Sequence, residues 1–142
     1  MTETAGTIGL GWAEIIAVGS ELLVPPRLDT NSLFITGCLN QLGIEVRAKT
    51  VVGDRRDDVA AVLRGALDRV GLVVMCGGLG PTDDDLTRDA AAGLLGMRLV
   101  EDESVLDRVR QRFASRGMRM PEVNRRQALV PVGAEVLPNP HG

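Results

Sequence analysis

The chain has 142 residues, 44% hydrophobic and 25% charged, with a net charge of −3. That balance suits one globular domain and excludes a disordered, collagen-like or helix-spanning membrane chain. The aromatic share is 2%, with Trp12, Phe34 and Phe113 and no Tyr, so base-stacking recognition of single strands is excluded, and no basic field exists for DNA or an anionic membrane surface.

Residues 1–12 read as a disordered leader without the features of a signal peptide. No apolar run reaches the roughly 18 residues of a membrane span, and a cytoplasmic location is expected. Ala13 to Gly19 reads as a buried strand. A loop follows from Ser20 to Asp29, with Pro25-Pro26 blocking regular structure. Asp29 or Thr30 caps a helix whose Phe34, Cys38 and Leu42 form a predicted buried face, with Ile35 and Leu39 beside it. Cys38 and Cys76 lie in apolar runs and are expected as two buried thiols; they are too few for a disulfide scaffold or a structural zinc site.

Ile44 to Val52 is the second predicted strand, closed by Gly53-Asp54. A second helix spans about Arg56 to Val70. Leu72 to Cys76 is apolar at every position, the pattern of a strand in the middle of a parallel sheet. It runs into a loop with Gly77, Gly78 and Gly80, followed by Asp83, Asp84 and Asp85. A third helix, starting around Thr82 to Asp85, runs to Leu95. A short strand near Met97 to Val100, a fourth helix from about Asp102 to Arg116 and a short fifth from Pro121 to about Ala128 come next. A last strand is predicted over Ala134 to Leu137, ended by Pro138 and Pro140.

Alternating strands and helices define an α/β fold, a mostly parallel central sheet with helices on both faces. Ligands bind such sheets at the carboxyl ends of the strands. Three segments meet that description: Gly19 to Asn31, Gly53-Asp54, and Gly77 to Thr87. Glycines in the last allow backbone N–H groups to approach a phosphate, with a helix amino end facing the same place. The aspartates that follow admit two readings, helix capping or a divalent cation bridging carboxylate and phosphate oxygens. No lysine follows the glycines, so this is not the common nucleotide loop. With the strands drawn as above, Asp54 and Asp85 converge on one cleft, where two carboxylates hold a metal or polarise water. His141 is the only histidine, and histidine acid–base chemistry is not expected of it.

Six segments carry a family resemblance: AEIIAVGSELL at 13–23, DTNS at 29–32, VVGD at 51–54, GGLGPTDDDLT at 77–87, MPEVNRRQALVP at 120–131 and LPNP at 137–140. In this order and spacing they resemble the N-terminal domain of the CinA (competence/damage-inducible) family. That domain shares the molybdopterin-binding fold of MogA, MoaB and part of MoeA. The resemblance implies a three-layer α/β/α sandwich over residues 13–142. Relatives continue past LPNP, so a C-terminal strand and the usual amidase domain are expected to be missing here.

The resemblance also implies a function: metal-dependent hydrolysis of ADP-ribose or a related dinucleotide, in pyridine-nucleotide recycling. A non-catalytic molybdopterin- or nucleotide-binding module is the alternative. On that reading Asp85 and Asp54 are catalytic, and Gly77, Gly78, Gly80, Thr82 and Thr87 hold phosphate. Ser20, Glu21, Asp29 and Asn31 contact nucleotide or ribose, and Asp84 with Asp85 binds Mg, Mn or Co. The implied partners are a nucleotide or pterin and further copies of the chain, as dimer or trimer, with neither nucleic acid nor membrane. Asp83 stands where relatives often carry a basic residue, and Val24-Pro25-Pro26-Arg27 replaces a glycine-containing loop.

Overall fold

The computed structural model describes residues 11–139. The strands are β1 (Trp12–Val18), β2 (Glu45–Val52), β3 (Leu72–Cys76), β4 (Leu99–Glu101) and β5 (Leu129–Pro131). The α-helices are α1 (Thr30–Gln41), α2 (Arg56–Leu67), α3 (Thr87–Leu94) and α4 (Glu103–Ala114), with 3-10 helices at Ser20–Leu23 and Glu122–Ala128. β1, β2 and β3 form a parallel sheet in the order β2-β1-β3, and β4 pairs antiparallel with β5 in a separate ribbon.

Successive side chains on a strand point to opposite faces, and β1 uses this to serve two cores. Ile16 and Val18 pack with Val52, with Val59, Leu63 and Ala66 of α2, and with Ala90 of α3. Ala13 and Ile15 face Leu39 and Ile35 of α1. Helices therefore cover both faces, which is the predicted α/β/α sandwich. Capping fixes two helix starts: Asp29 accepts from the Ser32 N–H at 3.0 Å, and Asp102 from the Val105 N–H at 3.0 Å.

Several expectations change. The middle strand is β1, and β3 sits at the edge with every residue half-buried; an all-apolar strand needs cover on both faces, not a neighbour on both sides. The predicted α1 stripe faces outward, with Phe34 74% and Leu42 75% exposed, and Cys38 is exposed while Cys76 is half-buried. Ser32 and Leu39 point inward instead. α3 begins at Thr87, later than predicted, because Asp85 closes a turn ahead of the helix rather than capping it. No strand forms over Ala134 to Leu137. Gly133 turns the chain at φ +89, and the ribbon uses Leu129–Pro131 instead. Trp12 belongs to β1 and lies under the Arg47 guanidinium, 3.4 Å from the ring centre. Residues 1–10 of the predicted leader, Pro140 and His141 lie outside the described residues.

Glu14 is buried on the central strand and is held by a fork from Arg69, at 2.7 and 2.8 Å. Those hydrogen bonds outweigh burial and hold its carboxyl below the usual glutamate range. A carboxyl lowered in the folded state adds stability above its ordinary pKa of about 4.3, lost as pH falls through the folded value. Arg69→Ala is expected to lower the Tm at neutral pH, with the gap to the parent narrowing as pH falls through the lowered Glu14 value. A gap independent of pH would exclude the pair as its cause.

Candidate active site

The carboxyl ends of the three parallel strands carry the candidate site. After β1, Gly19 donates to the Val52 carbonyl at 2.9 Å, which ties its turn to the end of β2. Ser20 and Asp54 then exchange hydrogen bonds. The Ser20 N–H donates to Asp54 Oδ2 at 2.8 Å, and the Asp54 N–H donates to Ser20 Oγ at 3.0 Å. This reciprocal pair locks the loops after β1 and β2 together. Ser20→Ala removes the acceptor for the Asp54 N–H, an expected loss of about 1 kcal/mol, read by urea unfolding.

After β3 the glycine loop folds back over the end of β1. Gly77 and Gly78 are consecutive left-handed residues, at φ +87 and +60. A Cβ on Gly77 would lie 2.1 Å from the Val18 carbonyl oxygen, and one on Gly78 would lie 2.4 Å from Thr87 Oγ1. Only glycine permits that approach. Buried Thr87 pins the loop: its hydroxyl donates to the Gly77 carbonyl at 2.7 Å, and its N–H donates to the Gly78 carbonyl at 3.2 Å.

Asp85 holds the second half of the loop. Its Oδ2 accepts from the Thr82 N–H at 2.8 Å and the Thr82 hydroxyl at 2.7 Å. A Cβ on Gly80 would lie 2.5 Å from the same oxygen. Burial pushes the Asp85 carboxyl up. The Thr82 hydroxyl, the Thr82 and Gly80 backbone and the nearby Arg88 charge more than offset this and leave it below the usual aspartate range. It is therefore a carboxylate at neutral pH.

Two arginines brace this loop, and the sequence reading assigned neither a role. Arg88 donates to the carbonyls of Leu79, at 2.5 Å, and Arg126. Arg126, from the Glu122–Ala128 helix, reaches the Thr82 carbonyl at 3.2 Å, Asp83 Oδ1 at 3.0 Å and Asp89 Oδ2 at 3.4 Å. The unusual negative charge of Asp83 is thus offset from a segment more than 40 residues away. The one available signal was the NRRQ stretch inside the fifth matching segment.

Glu21, Asp29 and Asn31 meet Gly77 and Cys76 around a cleft of about 110 Å³. Neither Asp54 nor Asp85 lines it: Asp54 is turned to Ser20, and Asp85 to Thr82. Burial and the charge of Asp29 push the Cys76 thiol up, against the Ser32 hydroxyl, so this sulfur is a poor nucleophile. Asp84 is exposed beside Asp85. Among the described residues no group of three or more His, Cys, Asp or Glu could hold a metal ion. Two adjacent carboxylates suit a cation that completes its shell with phosphate oxygens and water, as Mg²⁺ commonly does, and not an all-protein cage.

A parallel sheet sheathed by helices, with a glycine loop bent over its carboxyl edge, is the layout of an α/β ligand-binding domain. Residues 14–138 match the family described as "Probable molybdopterin binding domain". The chain belongs to this family, in its CinA branch. It is 52% identical to the CinA-like protein of Koribacter versatilis over 130 residues, 92% of this chain and 31% of that one. It is 49% identical to the "Putative competence-damage inducible protein" of Symbiobacterium thermophilum over 130 residues, 92% of this chain and 30% of that one. The chain therefore spans about a third of the curated relatives it matches. Among solved structures, CinA from Thermoplasma acidophilum superposes with a TM-score of 0.81 at 34% identity, over 93% of this chain and 77% of that one. The molybdopterin biosynthesis enzyme MoaB from Thermus thermophilus superposes at 0.59 with 27% identity, over 85% of this chain and 74% of that one. No described helix is long and apolar enough to cross a membrane.

Proposed function

We propose that this domain hydrolyses the diphosphate of ADP-ribose or a related dinucleotide, with a divalent cation as cofactor. The observation that carries the proposal is the glycine loop, two left-handed residues held over the end of β1 with a carboxylate station on either side of that strand. Neighbouring strands lie about 4.8 Å apart, so the loops after β2 and β3, which flank β1, start roughly 10 Å apart. A diphosphate carrying a sugar at each end suits a rim of that width.

Gly77, Gly78 and Gly80 give the diphosphate a surface free of side-chain bulk, and Thr82 and Thr87 keep that surface in shape. Glu21, Asp29 and Asn31 border the cleft where a ribose or base rests, and Ser20 orients Asp54. Asp84 and Asp85 would hold the cation together with phosphate oxygens. A cation held there would neutralise charge on the phosphates and acidify a bound water. Asp85, a carboxylate at neutral pH, would accept a proton from the attacking water, and Asp54, held by Ser20 on the β2 side of β1, would meet the opposite end of the ligand. Water oxygen bonds to one phosphorus, the bridging P–O bond breaks, and AMP and ribose 5-phosphate leave with release of protons.

The test is chromatographic: ADP-ribose with the purified chain and Mg²⁺, Mn²⁺ or Co²⁺ should yield AMP, and chelation should stop it. Intact ADP-ribose under all three cations would refute the proposal for this chain. Asp54 and Asp85 are turned to Ser20 and Thr82 and do not line the rim cleft, which favours a second reading, a module that binds a pterin or nucleotide unchanged. Such a module takes its ligand equally well in a chelator. A homo-oligomeric, cytoplasmic protein remains part of the proposed picture.

A further inference from the structure

A second hollow is bordered by Leu79 of the glycine loop, the start of α3, one face of α4, Gln127 and the segment after β5. It encloses about 420 Å³, within the range of small-molecule sites and well above the 110 Å³ cleft on the rim. Its lining includes apolar Leu79, Val105 and Val109 together with Arg88, Arg108 and Arg112. No acidic residue lines it among the described residues, although the chain as a whole carries a net charge of −3.

The charges here differ from the others on the same surface. Arg110 is paired with Glu103 and Asp107, Arg125 with Glu101 and Glu122, and Arg126 with Asp83 and Asp89. Arg108 and Arg112 make no ion pair among the described residues. They stand one helical turn apart, a spacing at which like charges repel and weaken a helix. Arg88 is half-buried and donates to carbonyls, not to a carboxylate. The acid that caps α4, Asp102, feels the charge of Arg108, but it is occupied by the Val105 N–H and the Ser104 hydroxyl. The charge row also continues: Arg116 lines an adjoining hollow of about 210 Å³ that shares Arg112 and Gln127 with the first. Guanidiniums without a carboxylate partner in a concave wall are the usual means of gripping phosphate oxygens.

We infer that this groove is a second binding site, for a nucleoside diphosphate whose phosphates lie against Arg88, Arg108 and Arg112 and whose base lies on the apolar lining. The site adjoins the glycine loop at Leu79 but contains none of Glu21, Asp29, Asn31, Asp54 and Asp85, and it does not depend on hydrolysis at the rim. Because Leu79 lines the groove and Arg88 holds its carbonyl, occupancy reaches the glycine loop directly.

The probes are ADP and inorganic pyrophosphate, titrated calorimetrically into the intact chain without divalent cation. Arg108→Gln/Arg112→Gln should weaken ADP binding at least tenfold. Arg110→Gln, whose guanidinium is paired outside the groove, should not, and Asp85→Asn should retain groove binding. ADP should bind more tightly than pyrophosphate, because only ADP covers the apolar lining. Unchanged ADP affinity in the double variant, or no ADP binding by the parent, would overturn the inference. So would binding lost in Asp85→Asn but kept in the double variant. Equal affinity for pyrophosphate and ADP would overturn the nucleotide assignment. Failure of ADP-ribose hydrolysis alone leaves these readouts intact, so the two proposals fail separately.

Discussion

Asp85→Asn is expected to reduce AMP release from ADP-ribose by about 10²-fold or more, the scale on which one positioned proton acceptor acts. The shape of the side chain is kept, and one amide oxygen can still accept from the Thr82 N–H and hydroxyl that now reach Asp85 Oδ2 at 2.8 and 2.7 Å. The loop should therefore remain closed, and the Tm should shift little. What disappears is the negative charge. The pH profile supplies the second readout. The Asp85 carboxyl lies below the usual aspartate range, so activity carried by its ionised form is full above about pH 4 and falls only as pH drops through the lowered value. Equal activity of parent and variant would remove Asp85 from the chemistry and leave it as a loop-closing residue.

Gly77→Ala is expected to produce the largest loss of stability of any single substitution in the loop, about 3–5 kcal/mol, the upper end for point changes. In a domain of this size that is a drop in Tm of about 10 °C or more. Two effects combine. The residue sits at φ +87, which alone costs an alanine about 1–2 kcal/mol. The new methyl also meets the Val18 carbonyl oxygen at 2.1 Å, and that oxygen belongs to the most buried strand of the sheet. Neither side can move without disturbing β1. Gly43→Ala is the internal control, because Gly43 has φ +75 but nothing within 4 Å of its Cβ position. Thermal unfolding of the two variants separates backbone strain from collision. Equal losses would mean that the loop moves off β1 at little cost.

The first half of the chain was legible because each strand there ends in a glycine or turn and each helix spans several turns. β1, β2 and β3, and the loops that carry Ser20, Asp54 and Gly77, stand close to where the pattern put them. The burial of α1 was not legible. Phe34, Cys38 and Leu42 share one stripe, Ile35 and Leu39 another, and both are apolar, so spacing alone could not choose between them. The place of β1 was hidden by Glu14, a charge in the central strand that becomes intelligible only with Arg69, 55 residues on. The run of aspartates suggested a helix cap, yet Asp85 turns back onto Thr82. β4, Leu99–Glu101, overlaps the short strand expected near Met97 to Val100, but β5 has three residues, too few for alternation to register. Arg88 escaped notice because its partners are backbone carbonyls, which leave no mark on a sequence, and Arg126 because its carboxylate partners stand 43 and 37 residues away.

The brace made by Arg126 bears on how tightly a ligand can be held. A glycine-rich loop has the most conformational freedom to lose on ordering, and a site that must freeze its own backbone gives up affinity in doing so. Here Arg126 grips Thr82, Asp83 and Asp89 while its carbonyl receives Arg88. The loop thus cannot loosen on its own; it opens together with the Glu122–Ala128 segment. The ordering cost is thereby met during folding, and the loop is preorganised before any phosphate arrives.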